Sequence, residues 1–431
     1  MSAIPTLAAA PAPSLWLAAP FVLLLLSIAI GSAAFHRLWE RIYPYVALGF
    51  GLIPCAWYLF AAHDLAPLLS VGEEYFSFIT LIGSFFVIAG GIHLRVRGRA
   101  TPAANCLFLL LAALASNIIT ATGASMLLIR PWLQLNRRRA SGHHIAFFIF
   151  LVSNVGGSLT PIGNPPLFLG FLQGIPFWWT LSRCWRPCLL ASAGLLVIFY
   201  FVDRRSFRLA AATEEDADAG EDWHFDGLIN LALLAVALVS VFLPFGIREG
   251  VLIAVALVSW FATPRRVHVA NRFSFSPIIE VAILFAGLFA TMSPALQWLE
   301  ANAGALGLST PFQFYWLTGV LSGILDNAPT YLAFLAAALG LTGHRLSEEG
   351  TMPGFLQAHE PIALAISVAS VFFGAATYLG NGPNLMVRSV ARQLGVRTPG
   401  FVRYVTHFVA PYLLPVLFLV GMLFFSRWRV F

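Results

Sequence analysis

Two short stretches of this 431-residue chain carry residues suited to holding a small polar solute. In the first, Gly157, Thr160, Gly163, Asn164 and Pro166 share one frame. They recur in the second as Gly374, Thr377, Gly380, Asn381 and Pro383, each 217 positions later. Gly-Asn-Pro-Pro and Gly-Asn-Gly-Pro cannot continue a regular helix, because proline lacks an N–H and glycine is conformationally permissive. Both lie in long apolar runs, so backbone groups are freed at membrane depth. Such backbone is tolerated only where it is buried in protein or lines a wet cavity, the setting in which ions and substrates bind between half-helix ends.

A second pair shares Asn-x-x-Thr. Ser116, Asn117 and Thr120 stand in the first half; Asp326, Asn327 and Thr330 stand in the second, with Ser116 opposite Asp326. The Thr hydroxyls and the amides of Asn117, Asn164, Asn327 and Asn381 are neutral donors and acceptors. They could coordinate sodium through oxygen or donate to a carboxylate, and residue type does not choose between these. Asp326 lies inside an apolar run, where a charge costs about 2.5–3.5 kcal/mol on insertion scales. It reads as a cation or proton site; the alternative is a cap for the helix starting near Pro329. Glu280, just after Pro277, reads as an interfacial helix-start residue. His143 and His144 read as loop or interfacial residues, and Trp178, Trp179 and Trp185 as an interfacial belt.

The elements that position these residues follow from composition. The chain is 59% hydrophobic and 10% charged, with mean hydropathy +0.82. A soluble domain is about 25% charged, so nucleic-acid binders, cytosolic enzymes and secreted disulfide scaffolds are disfavoured despite a pI near 9.4. Every basic residue is Arg, which excludes lysine catalysis. The four cysteines offer only one close pair, Cys184 and Cys188, without the spacing of a zinc or redox site. No Walker loop appears, and no catalytic residue or cofactor is expected. The first 34 residues lack the positive charge of a signal peptide, so the run at 16–34 reads as a permanent span.

Apolar runs long enough to cross a bilayer fall near 16–34, 43–62, 75–93, 102–129, 145–171, 187–202, 228–245, 250–262, 277–298, 311–341, 360–387 and 405–426. With the amino end outside, the arginines near 37–41, 95–99, 130–139, 204–208, 265–272 and 388–403 all fall in the cytoplasm, as the positive-inside rule asks. Arg183 and Arg186, and Arg427 and Arg429, are exceptions. The resulting expectation is an all-α polytopic membrane protein: an inverted repeat with about ten transmembrane helices, two re-entrant hairpins (102–129 and 311–341) and two unwound helices (145–171 and 360–387). The repeats span 1–202 and 228–431, joined by a solvated cytoplasmic linker at 203–227 whose acidic run lies at 214–222.

These motifs resemble the ion transporter superfamily, which includes citrate and dicarboxylate carriers, arsenite permeases and a class of sodium/proton antiporters. Ser116-Asn117 with Thr120 is similar to the hairpin tip of sodium-coupled dicarboxylate carriers, and Gly156 to Pro166 is similar to their unwound helix. Asp326-Asn327-Ala328-Pro329-Thr330 looks more like the Asp-Asn hairpin of the antiporter branch. A group named for citrate transport is a further kin. The resemblance implies sodium sites near Asn117 and Asn327, movement of a hairpin domain against a scaffold, and a homodimer through that scaffold. The expected activity is secondary sodium/proton antiport centred on Asp326 in the inner (plasma) membrane, with sodium- or proton-coupled carboxylate uptake as the alternative. The lipid bilayer and a small ion or carboxylate are the expected partners.

Overall fold

The computed structural model describes residues 15–95, 100–137, 139–211, 224–271, 273–346, 348 and 350–426. Helices follow the apolar runs because a chain in lipid must satisfy its backbone groups within each segment. Six helices are long and apolar enough to cross a membrane: Arg41–Ala62, Ala66–Gly90, Pro102–Ile119, Phe177–Leu209, Ser276–Ala301 and Phe401–Phe424. Thr351–Ala358 and Glu360–Ala376, bent by 97°, make a seventh if counted as one span. Leu15–Ile28, Leu228–Ser240 and Asn327–Leu341 are shorter apolar helices. The protein is therefore an all-α multi-pass membrane protein. Pro102–Ile119 is itself of spanning length, so length does not mark it as the first arm of a re-entrant hairpin.

The only strands among the described residues are a pair of three-residue strands, His93–Arg95 and His224–Asp226, joined antiparallel. They tie the end of the linker to the loop after Ala66–Gly90. The linker's acidic run, with Arg97, Arg99, Arg138, Arg272, Arg427 and Arg429, lies outside the described residues.

Polar contacts between elements fall into two sets. In one, arginines meet acids: Arg266 pairs with Asp226 at 3.6 Å, and Arg139 with Asp203. The other gathers glutamates: Gln173 donates to Glu74 (2.9 Å), Leu346 N–H donates to Glu300 (2.8 Å), and Arg183 pairs with Glu360 (2.9 Å). Helix Phe177–Ala211 carries Arg183 near its start and Asp203 near its end, so the two sets mark opposite ends of the molecule. Arg183, an exception to the charge rule, has local compensation in Glu360.

The core surrounds the two broken segments. From Ile145 to Val152 every side chain is fully buried, and Ile362 to Phe373 is nearly so. A helix apolar on all sides belongs in the interior. Glu280, by contrast, is exposed near the start of Ser276–Ala301.

Candidate functional site

The first hairpin turns at Thr120, between helices Pro102–Ile119 and Ala121–Leu135. Thr120 has φ 62°, strained for a β-branched residue. Its hydroxyl accepts from Gly123 N–H (3.0 Å) and so caps the second arm. The tip docks on the first broken segment. Asn117 Nδ2 donates to Gly156 O (2.6 Å), and Asn117 Oδ1 accepts from Leu159 N–H (2.9 Å). Thr160 Oγ1 donates to Asn117 O (2.7 Å), and Ala121 N–H donates to Gly163 O (2.8 Å).

The second hairpin repeats this with different residues. Its arms are Pro311–Ile324 and Asn327–Leu341, and Asp326 caps the second by accepting from Ala328 N–H (3.0 Å). Thr330 Oγ1 donates to Asp326 O (2.8 Å), and Asn327 N–H donates to Gly380 O (3.2 Å).

These bonds correct the repeat register. Ala121 to Gly163 corresponds to Asn327 to Gly380, and the two 15-residue second arms begin 206 positions apart. Asp326 is thus the counterpart of Thr120, not of Ser116. The Asn-x-x-Thr match sits four residues out of structural register. The first arm of the second hairpin is also shorter, 14 residues against 18. Ser116 is buried, and its hydroxyl donates to Ala113 O (2.6 Å).

The two broken segments meet directly. Asn164 and Asn381 are the extended N-cap residues of helices Pro165–Leu172 and Gly382–Gln393. Asn381 Nδ2 lies 3.1 Å from Asn164 Oδ1, 3.0 Å from Asn154 Oδ1 and 2.9 Å from Ser153 O, donating into this group of acceptors. Asn164 Nδ2 donates to Asn154 O (3.0 Å). Two residues missed in the sequence complete the knot: Asn154 Nδ2 donates to Asn384 Oδ1 (2.9 Å), and Asn384 Nδ2 donates to Gly374 O and Thr377 O. Their signal was an amide inside an apolar run, the criterion that singled out Asp326. Gly163 and Gly380 are required by close approach. A Cβ on Gly163 would lie 2.1 Å from Gly157 O, and one on Gly380 2.6 Å from Ser322 O.

Most of the predicted polar groups are committed to this framework. Thr377 Oγ1 accepts from Leu379 and Gly380 N–H, and Thr160 Oγ1 accepts from Gly163 N–H. Asn327 is different. It is fully buried, and neither its Nδ2 nor its Oδ1 has a hydrogen-bond partner. A Cβ built on Gly374 would lie 3.2 Å from Asn327 Nδ2 and 2.8 Å from Asn154 Oδ1, which puts Asn327 where both broken segments converge. A buried amide without a partner costs about 1–3 kcal/mol.

Asp326 is half-buried at the hairpin turn, and Asp203, Glu249 and Glu300 are buried as well. Each of those three has a compensating partner. Glu249 accepts from Ser77 (2.7 Å) and Arg248 (2.7 Å), and Glu300 accepts from Leu346 N–H. Asp203 is held by Arg139, by Asn105 (2.9 Å), and by His143 and His144, each 3.2 Å away. His143 and His144 are therefore buried, not interfacial. Asp203 belongs to this core cluster, not to the solvated linker. The guanidinium on Asp203 makes the cluster an ionic staple between elements 60 residues apart.

Helices that begin at mid-chain breaks, hairpin turns docked on those breaks and a buried amide knot thus lie together in a multi-pass helical protein. The chain belongs to the family described as "putative citrate transport", whose model matches residues 10–425. No curated protein matches it.

Proposed function

We propose that the protein is a secondary transporter of citrate or a related carboxylate, coupled to sodium or protons, with its site where the hairpin tips meet the two broken segments. The observation that carries this reading is Asn327: a buried amide, unpartnered in both its donor and its acceptor, at the start of a helix. Its Nδ2 can donate to a substrate carboxylate, and its Oδ1 can accept from a substrate hydroxyl. The amino ends of Ala121–Leu135, Asn327–Leu341, Pro165–Leu172 and Gly382–Gln393 all lie at the breaks. Helix amino ends favour negative charge. In this reading Asn117, Asn164 and Asn381 hold the segments in place through the bonds described above. Asp326, whose cap bond uses one oxygen, keeps a second oxygen for the coupling sodium or proton.

The family description supports carboxylate transport over the sodium/proton exchange expected from the Asp-Asn hairpin. Exchange stands as a second reading because Asp326 caps the hairpin arm where its structural counterpart is the neutral Thr120. On either reading the hairpins are re-entrant parts of an inverted repeat that moves against a scaffold in the plasma membrane, as a homodimer, with no enzymatic role. Labelled citrate uptake and sodium-triggered proton movement in proteoliposomes separate the two. Citrate accumulation driven by an ion gradient supports carboxylate transport. Sodium-dependent proton flux without citrate uptake rejects it.

A further inference from the structure

At the arginine-rich end, the segment following Ala121–Leu135 and the loop between Gly382–Gln393 and Phe401–Tyr404 enclose an open cavity of about 600 Å³. Its lining includes Arg137, Arg397 and Arg403 and no carboxylate. All three arginines are exposed. Two other arginines at this end have acids: Arg139 has Asp203 and Arg266 has Asp226. Three like charges around one cavity repel unless an anion joins them. The walls beneath them are apolar, with Leu133, Val396 and Phe408. A small soluble anion has no use for such a floor. A phospholipid uses both parts, its phosphate on the guanidinium forks and its first carbons on the apolar wall.

We propose that this cavity holds the phosphate headgroup of an acidic phospholipid, which bridges the two halves of the chain, since Arg137 comes from one half and Arg397 and Arg403 from the other. The full-length protein, purified and delipidated, is titrated with phosphatidylglycerol and with phosphatidylcholine, with bound lipid counted by native mass spectrometry. Wild type binds phosphatidylglycerol preferentially. Arg397→Gln/Arg403→Gln binds it roughly twenty-five-fold more weakly, given about a factor of five per surface charge. Arg204→Gln/Arg205→Gln, which removes equal charge from the same end outside the cavity, binds as wild type. Arg137→Gln, a single change at an exposed position, repeats the loss in smaller measure should the double variant fail to fold. Equal loss in the cavity and control variants, no preference for the acidic lipid, or displacement of the lipid by millimolar inorganic phosphate or citrate would each overturn the proposal.

Discussion

Asp326 and Asn327 are neighbours in sequence with separable tasks, one capping a helix and the other leaving a buried amide open. Asn caps helices about as well as Asp, so Asp326→Asn should stay within about 1 kcal/mol of wild-type stability while losing ion-dependent transport. Thermal unfolding in detergent beside uptake checks both halves of that expectation. Asp203 behaves oppositely. Asp203→Ala leaves Arg139 without its buried carboxylate, and breaking one side of a buried pair costs about 3–5 kcal/mol. The expected outcome is poor recovery of folded protein, read by size-exclusion profile and melting temperature. Gly380→Ala should be similarly damaging, because its Cβ would strike the backbone oxygens of Ser322 and Gly374. Gly382→Ala, two residues on, meets nothing within 4 Å and should be tolerated. Equal melting temperatures for the two glycine variants would contradict the close packing of the break.

Between elements, the telling contact is the bond from Asn381 to Asn164, which joins two helix breaks 217 residues apart in the chain. Residues in one hydrogen-bond network couple by about 0.5–3 kcal/mol. A double-mutant cycle of Asn164→Ala and Asn381→Ala, followed by detergent unfolding, should give an interaction energy in that range; strict additivity would mean the two breaks are independent. The breaks themselves were legible in the sequence, because proline and glycine in an apolar run leave the backbone few regular options. The hairpin register was not. Asn-x-x-Thr is a short match, and only the matching bonds to Gly163 and Gly380 reveal that Asp326 answers Thr120. The His143–His144–Asp203 staple was equally hidden, since a histidine pair after an arginine cluster looks like a loop until a helix 60 residues later brings its carboxylate. Asn154 and Asn384 were visible as amides in apolar runs, but their pairing spans 230 residues.

For the whole molecule, the scarcity of charge organises the fold into two ends, one gathering arginine-bearing loops and the other gathering Glu74, Glu300 and Glu360. The positive-inside rule predicts that the first end faces the cytoplasm. With the four native cysteines replaced, Arg397→Cys should react with a membrane-impermeant thiol reagent only after cells are opened. Glu348→Cys, exposed at the other end, should react in intact cells; the reverse pattern would invert the orientation. The account stands most directly on labelled citrate uptake into proteoliposomes by wild type and Asn327→Ala under a sodium or proton gradient. It predicts concentrative uptake by wild type, abolished in the variant while the variant's elution profile and helicity are unchanged. Undiminished citrate uptake by Asn327→Ala would contradict it.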